Sequence, residues 1–138
     1  MVQWCILMTN RVFTLASKTD DSGSQLKSRL RADLRAAMKQ GSRRETAVLR
    51  ALIAAIDNAE AVPGRKEQIS LDRHGFHSGS AEVERRILDR QQVHNVLAAE
   101  IERRERAAAE FDRLGRPDDA EALRLEAGIA RLYLDRRM

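Results

Sequence analysis

Apolar residues recur at helical spacing in four stretches of this 138-residue chain, and this periodicity constrains the fold more than any other feature. The first stretch carries an i,i+4 row of Leu26, Leu30, Leu34 and Met38. The other three are marked by Val48, Leu49, Leu52, Ile53 and Ile56, by Val93, Leu97, Ile101, Ala108 and Phe111, and by Leu123, Ile129, Leu132 and Tyr133. Such spacing puts the apolar side chains of each stretch on one helical face. The composition agrees, because only 4% aromatic residues and two prolines favour helices over a β-sandwich.

Capping signals indicate where these helices begin and end. The spacing of a capping box is found in Ser22 with Gln25, Ser42 with Glu45, Asp89 with Gln92, and Asp118 with Glu121. Helix ends are predicted at Gly41, at Pro63–Gly64 and at Gly115. The connections after the first and third helices are short, which favours antiparallel neighbours. The sequence therefore predicts an all-α fold of about four helices, in which two antiparallel hairpins pack as a small bundle.

The first 21 residues differ from the rest of the chain. Two short apolar runs, Trp4–Met8 and Val12–Leu15, are separated by the polar pair Asn10–Arg11. We predict a loosely ordered N-terminal extension over residues 1–21 and a helical domain over residues 22–138. A short strand or helix docked on that domain is the alternative for the extension.

The segment from Val62 to Leu88 is long for a connection inside a small domain. Gly64, Gly75 and Gly79 favour irregular structure in part of it. Residues 81–88 are open to two interpretations, an extra helical turn or the true start of the third helix.

Missing motifs exclude several kinds of site. The single cysteine, Cys5, excludes an intramolecular disulfide and a cysteine-rich zinc site. No apolar run reaches the roughly 18 residues of a membrane span, and no basic region precedes the first apolar run as in a secretory signal, so the cytoplasm is the expected compartment. Asp72, His74 and His77 lie together, but their position between glycines gives no rigid ligand geometry. We therefore expect no metal, no cofactor and no membrane partner.

Positive charge is concentrated in one segment. Residues 25–44 contain seven bases and one acid, Asp33, whereas residues 81–138 contain twelve bases and thirteen acids. An i,i+4 row of Lys27, Arg31, Arg35 and Lys39 runs beside the apolar row of the first helix. Such a ridge is suited to contacting a phosphate backbone, and a solvated helix face is the alternative. No aromatic residue accompanies it, which argues against stacking on single-stranded bases.

Polar residues on the apolar second helix predict an internal ion-pair network rather than a catalytic site. Arg50 and Asp57 are seven residues apart on nearly one face, with Glu60 close behind. Glu100 with the run Arg103-Arg104-Glu105 predicts a similar cluster in the third helix. No nucleophile with a neighbouring base is found, so the residues alone favour a binding module with no catalytic residues.

The segment Leu49–Glu60 (Leu-Arg-Ala-Leu-Ile-Ala-Ala-Ile-Asp-Asn-Ala-Glu) resembles the second-helix motif of the YqeY-like proteins. These are related to the C-terminal region of GatB, a subunit of the glutamine-dependent tRNA amidotransferase. The likeness covers about residues 25–134 and continues through the first-helix pattern of Leu26 to Met38, Glu100, Arg103-Arg104-Glu105, Phe111, Gly115-Arg116 and Tyr133-Leu134.

The resemblance implies an all-α body and a link to tRNA-dependent amidation, for which the family label is carbon–nitrogen ligase activity with glutamine as amido-N donor. The amidase and kinase chemistry of that enzyme belongs to other domains, so the resemblance implies a helical accessory module that contacts tRNA or amidotransferase subunits. The family-matched polar residues are Arg50, Asn58, Glu60, Arg103, Arg104 and Arg116. Two departures are expected: absence of the family's second, smaller C-terminal helical domain, and a longer segment at residues 62–88. The alternative is a protein-interaction or self-associating helical module that binds no nucleic acid.

Overall fold

The computed structural model describes residues 21–61 and 85–136. These ranges contain four helices: α1 (Ser22–Gln40), α2 (Arg43–Glu60), α3 (Arg90–Arg113) and α4 (Pro117–Arg136). α1 pairs with α2 and α3 pairs with α4, while α2 also packs against both helices of the second hairpin. The predicted all-α fold of two antiparallel hairpins is confirmed. None of the described helices is long and apolar enough to span a membrane.

Three of the predicted helix boundaries, one start and two ends, have the expected local geometry. The Asp89 carboxylate accepts a bond from the Gln92 amide at 2.8 Å, and the Gln92 side chain accepts from the Asp89 amide at 3.0 Å, which completes the capping box of α3. Gly41 and Gly115 have φ angles of 73° and 72°, the left-handed conformation that ends α1 and α3. The amide of Ser42 then donates to the carbonyl of Ala37 at 3.0 Å.

Three predicted helix starts need correction. Asp21, rather than Ser22, caps α1, and its carboxylate accepts from the Ser24 amide at 3.0 Å. Ser42 does occupy the N-cap of α2, but its side chain makes no capping bond. α4 begins at Pro117, which suits a first helical position because proline lacks the amide hydrogen that would have no partner there. Asp118 consequently lies inside the first turn, where it interacts favourably with the helix dipole.

The core is centred on α2. Leu49, Leu52 and Ile56 are fully buried, together with Leu30 from α1 and Leu97 from α3. The predicted apolar row of α1 follows this core only in part, because an i,i+4 step advances about 40° around a helix. The row therefore rotates out of the core, so that Leu34 is partly buried and Met38 is 53% exposed.

The residues at the two ends of the connection between α2 and α3 lie side by side. Ala61 and Arg85 form an isolated antiparallel bridge, and the amide of Arg86 donates to the carbonyl of Glu60 at 2.8 Å. Residues 85–88 are not helical, so neither interpretation of residues 81–88, an extra helical turn or the start of α3, holds for the described part of that segment. Pro63–Gly64 and residues 62–84 of the long connection lie outside the described residues. Of the extension predicted over residues 1–21, only Asp21 is described, and it belongs to the helical domain as the cap of α1.

Candidate nucleic-acid interface

The solvent-facing side of α1 carries a strip of positive side chains. Arg31, Arg35 and Lys39 are all exposed, and their i,i+4 spacing sets successive Cβ atoms about 5–6 Å apart. From the first to the third, the helix rises about 12 Å. Three of the four residues in the predicted ridge therefore share one strip of surface, which we call the α1 strip.

Lys27 lies off the α1 strip, which corrects its predicted place in the ridge. Three i,i+4 steps rotate it about 120° away from Lys39, toward α2. Its ammonium Nζ donates to Glu60 Oε2 at 2.6 Å and to Asp57 Oδ1 at 3.0 Å, and the side chain is only 7% exposed. A lysine held in this way is not available to a phosphate.

The surroundings of Lys27 act on its charge in opposite directions. Burial alone would lower the pKa of the ammonium, because desolvation disfavours the charged form. Its hydrogen bonds to Glu60 and Asp57 outweigh that effect, and the pKa of Lys27 is raised above its ordinary 10.5. Lys27 is therefore charged at neutral pH and ties α1 to the C-terminal end of α2.

Further exposed cations lie near the α1 strip. Arg29 is on α1, Arg43 and Arg44 open α2, and Arg50 is one turn beyond Thr46 on α2. Within residues 21–61 and 85–136, no ion pair or hydrogen bond is found for the side chains of Arg29, Arg31, Arg35, Lys39, Arg43 and Arg44. The positive charge of the first hairpin is thus directed to solvent.

Four of the five acidic residues in the same hairpin bind other groups, Glu45 being the exception. Asp21 caps α1, and Asp57 and Glu60 hold Lys27. Asp33 accepts a bond from the hydroxyl of Tyr133 at 2.7 Å. These four carboxylates therefore do not form ion pairs with the α1 strip, and no ion pair with it is found for Glu45 among the described residues.

The exposed arginines of the second hairpin are mostly matched by carboxylates. The pairs are Arg103–Glu100, Arg106–Glu102, Arg113–Glu110, Arg116–Asp119, Arg124–Asp112 and Arg131–Glu105. The guanidinium of Arg116 also lies 5.1 Å from the centre of the Phe111 ring. This surface therefore presents charge that is already neutralised at short range.

Arg104 is the buried member of this second set. Its Nη1 donates to the Glu100 carboxylate at 2.7 Å and to the Glu100 carbonyl at 3.0 Å. Its Nε is buried without a hydrogen bond and lies 3.6 Å from Glu126 Oε2 on α4. The predicted cluster of Glu100, Arg103 and Arg104 is confirmed, whereas Glu105 pairs with Arg131 instead.

The predicted network on α2 contains a different cation. Arg50 is exposed and makes only a weak contact, 3.9 Å from its Nη2 to Met38 Sδ, so its predicted pairing with Asp57 and Glu60 is wrong. Lys27 takes that role from another helix, 30 and 33 residues away in sequence. Of the family-matched residues, Glu60, Arg103, Arg104 and Arg116 thus lie in ion pairs, while Arg50 and Asn58 are exposed.

A groove that sequence reasoning missed separates α1 from α4. Its volume is about 520 Å³, and the hydrogen bond from Tyr133 to Asp33 spans it. Its apolar lining includes Ala36 and Ala37 on one side and Leu125, Ile129 and Leu132 on the other. The apolar periodicity of a sequence indicates the buried face of each helix but not which helices are neighbours, so no sequence signal predicted this groove.

The described ranges contain no group of three or more His, Cys, Asp or Glu side chains that suits a metal ion, and Asp72, His74 and His77 lie outside those ranges. Comparison with known proteins adds no relative: no family model, no curated protein and no solved structure matches the chain. The resemblance to the YqeY-like proteins therefore stays a prediction.

Proposed function

We propose that this chain is a non-catalytic helical module that binds tRNA through the α1 strip, as an accessory to tRNA-dependent amidation. In this role the first hairpin contacts the RNA, while the second hairpin supports it. The associated reaction class, carbon–nitrogen ligation with glutamine as amido-N donor, would be carried out by a separate enzyme.

One observation carries the proposal: the cations of the α1 strip have no ion pairs among the described residues, while the exposed arginines of the other hairpin mostly do. A cation already matched by a carboxylate gains less from a phosphate, because that pair must first be broken. An unmatched cation pays no such cost, and each phosphate it neutralises releases condensed counterions. The α1 strip is therefore the described surface best suited to a nucleic-acid backbone.

The chemistry of the α1 strip favours backbone contacts over base recognition. Arg31, Arg35 and Lys39 supply guanidinium and ammonium donors, which bind phosphate oxygens well. Their neighbours on the exposed side of α1 include Ser28 and Ala32, and no aromatic ring is among the residues of α1. This composition suits folded, duplex-like stems such as those of tRNA, where the phosphates are the accessible groups.

The resemblance of residues 49–60 to the YqeY-like proteins directs the proposal to tRNA among folded RNAs. The C-terminal region of GatB is associated with binding tRNA, while the amidation chemistry of that enzyme lies in other domains. In the same way, the α1 strip of this chain supplies a charged surface, and the proposal assigns the chemistry to a separate enzyme.

Titration of a labelled tRNA with the full chain tests the proposal. We expect the variant Arg31→Gln/Arg35→Gln/Lys39→Gln to bind at least about tenfold more weakly at low salt, because three phosphate contacts are lost. Glutamine retains good helix propensity, so the fold should persist. The matched control is Arg103→Gln/Arg106→Gln/Arg113→Gln, which makes the same change in net charge on paired arginines.

Equal weakening in both variants would show that net charge alone governs binding, and the α1 strip would lose its role. Absence of tRNA binding by the wild type at low salt would reject the nucleic-acid function. The second candidate, a self-associating module without RNA binding, would then take its place. The exposed apolar face of α4 is the observation in its favour.

A further inference from the structure

A hollow lies at the turn of the first hairpin, where α1 ends and α2 begins. Its volume is about 390 Å³, within the range of pockets that bind small ligands. Met38 of α1 and the turn residues Gly41 and Ser42 form part of its lining. The rest of the described lining comes from α2 and consists of Arg43, Thr46, Ala47 and Arg50. We call this hollow the turn pocket.

The α2 residues of the turn pocket share one face of the helix. Their spacing of i, i+3, i+4 and i+7 brings all four side chains to the same side. Arg43 and Arg50 are the outer members of this row, about 10 Å apart along the helix axis. Thr46 and Ala47, which lie between them, have short side chains. The α2 wall of the turn pocket therefore has an arginine at each end and little side-chain volume between the two.

Both arginines and the serine of the turn pocket have donors to offer a ligand. Arg43 is exposed and has no ion pair or hydrogen bond among the described residues. Arg50 is exposed as well, and its Nη2 lies 3.9 Å from Met38 Sδ, which places its guanidinium beside the α1 wall of the pocket. Ser42 occupies the N-cap of α2, yet its side chain makes no capping bond. These groups can donate to a ligand without first breaking an ion pair.

The turn pocket is positive, and none of its described lining residues is a carboxylate. Glu45 is the acid nearest to Arg43 in sequence, but two helical positions rotate it about 200° around α2. Glu45 lines the groove between α1 and α4 instead. Lys39, at the end of the α1 strip, follows Met38 in the chain and adds a further exposed positive charge nearby. The turn pocket therefore favours an anionic ligand.

We propose that the turn pocket binds the phosphate group of a phosphate monoester between Arg43 and Arg50. Guanidinium groups donate in pairs to phosphate oxygens, and the hydroxyls of Ser42 and Thr46 supply further donors. A monoester carries about two negative charges near neutral pH, which two arginines balance. A backbone phosphodiester carries only one. The turn pocket thus differs in its ligand from the α1 strip, which is proposed to contact phosphodiesters.

This inference goes beyond the proposed tRNA function, since a small phosphate ester and the 5′ end of an RNA present the same group. Inorganic phosphate is the first probe, added to the isotope-labelled full chain at neutral pH and constant ionic strength. We expect the backbone amide NMR signals of residues 41–47 to shift and to saturate with a dissociation constant of about 1 mM, the weak end of specific affinities. Arg43→Gln/Arg50→Gln should weaken this binding at least about tenfold, because both guanidinium contacts are lost.

The matched control is Arg29→Gln/Arg44→Gln, which removes the same charge from exposed positions of the same hairpin outside the turn pocket. It should bind phosphate within about twofold of the wild type, because salt screens charges that do not touch the ligand. Helicity by circular dichroism confirms that each variant is folded. Three results would overturn the proposal: no saturation up to about 50 mM phosphate, far above the expected constant, equal weakening in the control, or shifts centred elsewhere in the chain.

A second arm identifies the source of the phosphate and is the only part that rests on the proposed function. A tRNA with a 5′ phosphate is compared with the same tRNA after that phosphate is removed. If the RNA supplies the group, its removal weakens binding to the wild type but not to Arg43→Gln/Arg50→Gln. If removal has no effect while inorganic phosphate still binds the turn pocket, the ligand is a small phosphate ester. A wild type that binds no tRNA would reject the nucleic-acid function alone, since the titration with inorganic phosphate decides the turn pocket separately.

Discussion

Residues 21–61, which form the first hairpin, contain eight bases and five acids, whereas residues 85–136 of the second hairpin contain eleven of each. The arrangement of these charges differs more than their number. In the first hairpin most acids are occupied by a cap, a tyrosine and the buried Lys27, and the exposed bases have no described carboxylate partner. In the second hairpin carboxylates and arginines pair along α3 and between α3 and α4.

This contrast shows that net charge alone is a poor guide to a binding surface. The first hairpin has only a modest excess of bases. Its exposed bases nevertheless remain unpaired among the described residues, because most of its acids bind other groups. The arginine-rich second hairpin offers many donors, but most of its exposed arginines already bind carboxylates. Three predictions test the contrast and one tests the connection between the hairpins, in order of decreasing effect.

The largest effect is expected from Lys27→Met. The substitution leaves Glu60 buried without its closest cation, so we expect a loss of about 3 kcal/mol in the free energy of unfolding. Arg85, at 3.8 Å from both carboxylates, should keep the loss near the lower end of the usual range. Chemical denaturation measures this loss. The control is Lys39→Met at an exposed position, which should change the free energy of unfolding by no more than about 0.5 kcal/mol.

A second variant separates charge burial from lost packing. Adding Glu60→Gln to Lys27→Met removes the stranded carboxylate and should recover part of the stability. If the Lys27 and Lys39 variants lose similarly little stability, Lys27 does not form a stabilising buried ion pair and is as exposed as the rest of the predicted ridge.

The connection between the hairpins is the next test. Ala61 and Arg85 already lie side by side, so replacing residues 64–82 with a short Gly-Ser linker should keep the fold. A shorter loop costs less closure entropy, which we expect to stabilise the protein by about 1 kcal/mol. Thermal and urea unfolding measure the change. A loss above about 2 kcal/mol would show that the removed segment packs on the helices.

The pH dependence of stability provides a third test of the buried ion pairs that Lys27 forms with Asp57 and Glu60. Because the pKa of Lys27 is raised above 10.5 in the folded protein, its contribution is fully present below that pH and is lost as pH rises through the folded pKa. The difference in unfolding free energy between wild type and Lys27→Met should therefore be constant at neutral pH and shrink under alkaline conditions. A difference that grows with pH would have the wrong sign.

The smallest effect is expected in the second hairpin. Arg106 and Glu102 form an exposed i,i+4 pair, and such pairs contribute little because water screens them. Arg106→Gln should change the free energy of unfolding by no more than about 0.5 kcal/mol. A loss comparable with that of Lys27→Met would show that buried and exposed ion pairs contribute equally to the stability of this protein.

Features set by neighbouring residues could be predicted from the sequence. The capping box of Asp89 and Gln92 depends on residues three apart, and the end of α1 depends on the left-handed conformation that Gly41 adopts readily. The apolar periods likewise located all four described helices, since each period reports a local helical face.

Features that depend on contacts between helices could not be predicted in this way. The partners of Lys27 lie about 30 residues away on α2, and nothing in the spacing of α1 distinguishes it from Arg31. Arg50 and Asp57 share a face of α2, but helical spacing does not reveal which cation the neighbouring helix supplies. The groove between α1 and α4 was missed for the same reason, because it depends on which helices become neighbours.

The salt dependence of tRNA binding tests the central claim most directly. The slope of log K against log salt is measured for the wild type and for Arg31→Gln/Arg35→Gln/Lys39→Gln. We predict a slope shallower by about 2 to 3 in the variant, since each lost phosphate contact removes roughly 0.7 to 0.9. Parallel slopes for the two proteins, with both folded, would contradict the assignment of the RNA contact to the α1 strip.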